Sequence, residues 1–351
     1  MQQELRLATF NVCNLALPGL KYYEDQEPYT AAEYDAKTSW IAQKIDELDA
    51  DVIAFQEIFS QAALTEVLAK SRKFRQAHHI GFDSPPQSRP VPGVALISRL
   101  PILDGAAGVC LHIALPHQLS IPLPGVESPL TTFTRPVLHA RLMLSPGQSM
   151  HVFVCHLKSK RPDYRNGALP DPETVGLAVL RSLIRRSTDA LGLRLLADKC
   201  MGDDHAPVIV MGDFNDVAAA VSTQLVMGTA NVAQEGFDHR LYDSYRIQAS
   251  KCSRDLGYTH VHDGSYETVD HVLVSSEFNP HSPSAIGEVL EVIYLNDHVA
   301  LKPAEATDHG LVLVRIGLMN AASYLSSGAT TPSPLADSTL PESGASPSSA
   351  G

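Results

Sequence analysis

A chain of 351 residues, 44% hydrophobic and 19% charged, has the balance of an ordinary globular protein with enough apolar mass for a sizeable core. No apolar run approaches the length of a membrane span, so membrane insertion is not expected. The net charge of −12 argues against stoichiometric packaging of nucleic acid, but not against turnover of a polyanion where metal ions and a local basic loop offset the repulsion.

The chain passes from Met1-Gln2-Gln3-Glu4 directly into a strand pattern, with neither a basic n-region nor an apolar h-region. Its five cysteines, at 13, 110, 155, 200 and 252, are scattered and form no CxxC. Reduced thiols and a cytoplasmic address are expected, rather than a disulfide frame or a zinc site.

In chain order, residues 5–10 alternate into a strand that ends at Asn11. Thr30 and Glu33 fit a capping box ahead of a helix with Ile41, Ile45 and Leu48 on one face. Residues 52–56 read as a buried strand delivering Glu57, residues 60–68 as a short helix, and 94–98 as a strand followed by Arg99. The proline-rich stretch 115–136 predicts loops with an edge strand. Residues 138–144 and 151–155 flank Ser145-Pro146-Gly147-Gln148 as a hairpin whose second strand ends in His156, before the basic loop Lys158, Lys160 and Arg161.

A long helix follows at 175–201, with Leu177, Leu180, Leu183, Ile184, Leu191 and Leu195 as its apolar stripe and Arg181, Arg185 and Arg194 on a solvent face. Residues 208–211 are four apolar residues read as a strand buried on both faces. Gly212 permits a sharp turn, and Asp213 and Asn215 then point the same way from an extended chain. A helix around 221–227 and strands at 268–274, 289–294 and 311–316 complete a domain at 1–318. The Ser/Pro/Ala-rich remainder, 319–351, lacks the apolar content to offset its ordering entropy and is expected to be a disordered tail.

Polar residues therefore recur at the ends of apolar strands: Asn11, Glu57, His156, Asp213 with Asn215, Asp270, and Asp308 with His309. In layered α/β proteins, strand ends share one rim, where sites sit. His271, one residue after Asp270 on a strand, points to the opposite face and reads as structural. His78, His79, His112 and His139 have no strand-end partners and read as ordinary surface or core histidines.

Seven words carry a resemblance: Thr9-Phe10-Asn11, Phe55-Gln56-Glu57, Leu96-Ile97-Ser98-Arg99-Leu100-Pro101-Ile102, His156-Leu157-Lys158-Ser159, Met211-Gly212-Asp213-Phe214-Asn215, Val269-Asp270-His271-Val272-Leu273 and Thr307-Asp308-His309. In this order they resemble the endonuclease/exonuclease/phosphatase superfamily, the DNase I-like fold. The resemblance implies an α/β, four-layer α-β-β-α sandwich of two packed mixed sheets with one site at the rim between them.

A phosphodiester resists hydrolysis because its anionic oxygens repel hydroxide, and a hard cation on oxygen ligands removes that repulsion. Glu57 is the best direct ligand and Asn11 adds a neutral oxygen; the resemblance suggests Asp308 in support. Mg²⁺ is the expected ion, with Mn²⁺ able to substitute. Asp213 is expected to orient and deprotonate water, Asn215 to donate to a phosphoryl oxygen, and His309, held by Asp270, to stabilise the pentacoordinate charge. In similar enzymes the base is either the Asp or an Asp–His pair. His156 would face the phosphate from the opposite side. Lys158, Lys160, Arg161, Arg99 and Arg135 are candidate phosphate contacts. Cys13 stands where some relatives carry a second acid, which weakens a two-metal scheme.

The leading expectation is a monomeric metal-dependent nuclease whose substrate is nucleic acid or another phosphodiester. The alternatives are a phosphatase or phosphodiesterase for small-molecule or lipid phosphoesters, and a catalytically inactive binding module.

Overall fold

The computed structural model describes residues 3–84, 91–103, 108–145, 147–164, 171–204, 206–228, 239–250 and 257–319. In the first sheet, β1 (Gln3–Leu15) pairs antiparallel with β14 (Leu311–Leu318) and parallel with β2 (Val52–Ile58). β3 (His78–Gly81), β4 (Gly93–Ser98) and β13 (Gly287–Leu295) complete six strands in the order β13-β14-β1-β2-β4-β3. The second sheet takes β5 (Val109–Ala114), β6 (Thr132–Ser145), β7 (Gln148–His156), β8 (Val208–Asp213), β9 (Leu241–Asp243) and β12 (Asp270–Ser275) in the order β5-β6-β7-β8-β12-β9. A separate two-stranded ribbon joins β10 (His260–His262) to β11 (Ser265–Glu267).

Alternation along the strands creates the layers. Leu5, Leu7, Val52 and Ala54 of the first sheet meet Leu138, Val152, Val154, Ile209 and Met211 of the second in one apolar core. The intervening Ala8, Phe10, Ile53 and Phe55 turn outward against Ile41 and Ile45 of α1 (Ala31–Leu48) and Leu64 and Val67 of α2 (Gln61–Lys70). Phe153, Val208 and Val210 pack against Leu193 and Ala197 of α3 (Pro172–Asp204) and Val226 of α4 (Val221–Met227). Strands covered on both faces must be apolar at every position, so they read as unbroken hydrophobic runs. The result is the expected four-layer α-β-β-α sandwich.

The local signals act as anticipated at α1, where Thr30 Oγ1 accepts from the Glu33 N–H and Glu33 Oε2 accepts from the Thr30 N–H. The stretch 115–136 is largely irregular, with an isolated bridge between Ile121 and Leu130, although β6 already begins at Thr132. The expectation for the tail falls outside the described residues except at Met319.

The face of α3 differs from the periodicity reading. Leu177, Leu180 and Leu183 are exposed, whereas Arg181, Ser182, Arg186 and Asp189 are buried. This half of the helix lies over polar backbone: Arg181 Nε donates to Asp163 O, Ser182 Oγ to Arg161 O, and Arg186 Nη1 to Lys158 O, with Arg186 Nε on the Asp216 carboxylate. Nor are Arg185 and Arg194 a free solvent face: they bind Asp163 and Asp198. A helix packed on loop carbonyls needs donors inward, and that need overrides the apolar stripe.

Candidate active site

Strand register assembles half of the site. Parallel pairing of β7 with β8 sets His156 beside Asp213, and antiparallel pairing of β8 with β12 sets Asp213 beside Asp270. Gly212 makes this end possible: its φ is +151°, and a Cβ there would lie 2.0 Å from the Cys155 carbonyl oxygen. The chain then turns through Asn215 at φ +53° rather than continuing extended, so Asn215 folds back onto Asp213.

Asp213 is 1% exposed. Its Oδ1 accepts from the Asn215 N–H at 2.8 Å, and its Oδ2 from Asn215 Nδ2 at 3.1 Å and Asn11 Nδ2 at 3.0 Å. Two imidazoles flank the same oxygen, with His156 Nε2 at 3.3 Å and His309 Nε2 at 4.0 Å. Burial pushes the Asp213 carboxyl up to about 7, against the pull of His309 and with the help of Asp270 and Glu57. His309 Nδ1 lies 2.9 Å from Asp270 Oδ2. Burial disfavours its charge, but Asp270 and Asp213 outweigh burial and hold it well above the ordinary histidine range. His156, buried and facing the positive charges of Arg135, His309 and Lys158, is pushed well below that range. The two rings beside Asp213 are thus tuned apart, one toward imidazolium and one toward neutral imidazole.

The other half comes from the first sheet by irregular backbone. The β1–β2 pairing slips between Asn11 and Leu15, and Cys13, Asn14 and Glu57 have φ of 53°, 63° and 64°. Left-handed backbone at non-glycine residues costs on the order of 1–3 kcal/mol each and is retained where the surroundings require it. Here it places Glu57 Oε2 on the Asn14 N–H at 3.0 Å and Glu57 Oε1 3.9 Å from His156 Nε2. Cys13 lies close to both Asp308 and Glu57; burial, then those two negative charges, push its thiol far up. Asp308 is exposed, but the protein crowding its carboxyl displaces solvent and raises it, while His309, His260 and the Cys13 hydrogen bond outweigh that and bring it below the usual value.

These donors fit a hard divalent cation. Glu57 and Asp308 supply carboxylate oxygens, and among the described residues the buried Asn14 Oδ1 and Asp270 Oδ1 have no hydrogen-bond partner. Asn11 differs from the expectation in emphasis: its Oδ1 accepts from the Cys13 N–H and its amide nitrogen holds Asp213, leaving one oxygen lone pair.

The candidate phosphate contacts divide. Lys160 and Arg161 line a cleft of about 450 Å³ with Asn215, His260, His262, Glu267 and His309. Lys160 Nζ also lies 3.0 Å from Glu267 and 3.5 Å from Asp216. Lys158 Nζ instead donates to Ser159 O and Arg161 O, and burial lowers it to about 8. Arg135 Nη1 donates to Leu157 O and braces the His156 loop. Arg99 is not brought to this cleft: its guanidinium binds Asp49 and stacks on Phe74, and its N–H donates to Asp51 O just before β2, at the opposite end of that strand from Glu57.

Sequence reasoning missed several neighbours. Lys37 of α1 is 4% exposed and close to Cys13, Glu57 and Asp308; burial lowers its ammonium while those groups hold it up. A lysine inside an otherwise apolar helix face was the available signal. His260 stacks on His309 at 4.9 Å and comes from a ribbon too short to show a period. His271 behaves as expected, with Nε2 2.9 Å from Asp216 O, away from the cleft.

A sequence profile described as Endonuclease/Exonuclease/phosphatase family matches residues 8–309. Solved structures share the fold. An endonuclease/exonuclease/phosphatase from Bacteroides vulgatus is 15% identical, with 91% of this chain and 100% of that one aligned and a TM-score of 0.56. The human Nocturnin catalytic domain with bound sulfate is 16% identical over 91% and 96%, TM-score 0.52. A mannosyl-6-phosphatase from Bacteroides thetaiotaomicron is 17% identical over 89% and 99%, TM-score 0.51. No curated protein sequence matches the chain.

Proposed function

The chain belongs to the endonuclease/exonuclease/phosphatase family, and from that premise we propose that it is a divalent-metal-dependent phosphodiesterase acting on nucleic acid. The observation carrying this reading is the setting of Asp213: a carboxyl 1% exposed, held by the amides of Asn11 and Asn215, with His156 Nε2 at 3.3 Å and His309 Nε2 at 4.0 Å from the same oxygen, and raised by burial. A base poised near neutrality next to a cationic donor suits attack of water on a phosphodiester.

In this reading Glu57 holds the cation, with Asp308 and the oxygens of Asn11 and Asn14 in support. Mg²⁺, or Mn²⁺ in its place, would neutralise phosphoryl oxygens and the leaving oxyanion when bound. Asp213 accepts the proton of the attacking water, and Asn11 and Asn215 fix the orientation of its carboxylate. His309 faces the developing phosphoryl charge while Asp270 fixes its ring. His156 donates to the phosphate from the other side, and Lys160 and Arg161 receive the flanking backbone.

A small phosphoester is the second reading. Glu267 sits against Lys160 in the cleft and reduces its attraction for a polyanion, and a relative of the same fold is a mannosyl-6-phosphatase. The test is hydrolysis of supercoiled plasmid, single-stranded DNA, RNA, bis- and mono-p-nitrophenyl phosphate and sphingomyelin with Mg²⁺, Mn²⁺ or EDTA. Diesters cleaved ahead of monoesters, with nucleic acid among them and EDTA abolishing turnover, support the proposal. Monoester preference favours the small-substrate reading. No turnover and no thermal shift with Mg²⁺ would leave a binding module.

A further inference from the structure

At the far end of β7 from His156, the second sheet and α3 enclose a group of soft ligands that the catalytic chemistry does not use. His139 of β6, His151 of β7 and Cys200 of α3 present Nε2, Nδ1 and Sγ within 4.8 Å of one another. His139 Nε2 lies 2.8 Å from His151 Nδ1 and 4.0 Å from Cys200 Sγ. His151 is 4% exposed, and His139 and Cys200 are half-buried. The His139 ring is fixed by stacking on Phe153 at 4.2 Å, with 10° between the planes. His151 precedes His156 by five residues on the same strand, so the cluster stands about 17 Å from the cleft.

We propose that His139, His151 and Cys200 form a second metal site, for a borderline-soft divalent ion of the zinc class, clamping the last turns of α3 to β6 and β7. A direct hydrogen bond between the histidines accounts for the 2.8 Å separation, but not for a thiol directed at the same nitrogen. Metal–nitrogen bonds of about 2.0–2.1 Å and metal–sulfur bonds of about 2.3 Å place tetrahedral ligand atoms about 3.3 Å (N···N) and 3.6 Å (N···S) apart. The observed N···N separation is about 0.5 Å shorter and the N···S separation about 0.4 Å longer than these, so side-chain rotations of that size admit the ion. Two imidazoles and a thiolate select zinc-like ions and discriminate against Mg²⁺, which takes oxygen ligands. The two metal preferences of the chain are therefore chemically orthogonal.

Binding moves protons in a defined way. The hydrogen between His139 Nε2 and His151 Nδ1 passes to the outward nitrogen of the ring that carries it, leaving both inward lone pairs for the ion. Cys200 forms its sulfur–metal bond as it releases one proton to solvent.

The test is Co²⁺ titration of the reduced full-length protein in excess Mg²⁺, read by absorption. One equivalent is expected to produce a thiolate-to-cobalt charge-transfer band with tetrahedral visible bands, both erased by Zn²⁺. Cys200→Ser should remove the charge-transfer band, and His139→Asn should raise the half-saturating Co²⁺ by at least about 100-fold. Cys110→Ser and Asp213→Asn should leave the spectrum unchanged. Zn²⁺ should raise the Tm of the parent protein but not that of Cys200→Ser. No thiolate band in the parent protein overturns the proposal without recourse to any variant. Its persistence in Cys200→Ser, or its loss in Cys110→Ser or Asp213→Asn, overturns it equally.

Discussion

The two sheets build their halves of the cleft by different means. The second sheet delivers His156, Asp213 and Asp270 in register from three neighbouring strand ends, with one glycine absorbing the backbone cost. The first delivers Asn11, Asn14 and Glu57 through a slipped pairing and three left-handed non-glycine residues. The regular half holds imidazole and carboxylate in fixed contact, which suits proton transfer. The irregular half turns oxygen atoms toward a common point that regular strands, with side chains alternating between faces, would not reach. The contrast suggests a division of labour, with the proton-transfer pair His156 and Asp213 on the second sheet and cation binding on the first, while His309 crosses from the segment before β14 to reach Asp270.

Variants can break that division. A large loss is expected where the second sheet holds an imidazole from the first: His309→Ala, which removes the partner of Asp270, should lower kcat by about 10²–10³-fold with Mg²⁺ saturating. Glu57→Gln should act differently, raising the Mg²⁺ needed for half-maximal rate by at least about 10-fold while much of kcat returns at high metal. If both variants respond alike to added Mg²⁺, the division fails. Lys160→Ala, at the cleft wall, should raise KM for a nucleic-acid substrate about 10-fold, equivalent to about 1.4 kcal/mol, with little change in kcat. Arg99→Ala should be silent in both parameters and cost no more than about 1 kcal/mol in thermal denaturation, as befits a partly exposed ion pair with Asp49.

The same contrast explains what could be read from the sequence. His156, Asp213 and Asp270 were visible because each borders an apolar run buried on both faces, residues 152–155, 208–212 and 272–274, so the polar residue beside the run marks the strand end. Glu57 was visible for the same reason. Asn14 and Lys37 were not: one depends on a left-handed turn and the other on a helix brought over the strand ends by the fold. Arg99 follows β4 as His156 ends β7, but an antiparallel neighbour ends at the opposite rim, and strand direction cannot be read from periodicity. The stripe on α3 misled because Leu177, Leu180 and Leu183 have the right period, while the loop backbone on the other side of this half of the helix calls for Arg181 and Arg186. His139, His151 and Cys200 have no ligand spacing in the sequence; pairing of β6 with β7 and the course of α3 bring them together.

The central claim is that Asp213 is the base, held near neutrality by burial between two unlike imidazoles. The pH dependence of kcat, measured at saturating Mg²⁺ for the parent protein and Asp213→Asn, tests it most directly. A carboxyl raised to about 7 is protonated and inactive below that pH and active above it. The parent rate should therefore climb with pH through the ionisation of this raised carboxyl, with a midpoint above that of an ordinary carboxylate, and Asp213→Asn should lose both that limb and about 10³-fold in rate. An Asp213→Asn variant that keeps the limb, or turns over at near-parental rate, would contradict the assignment.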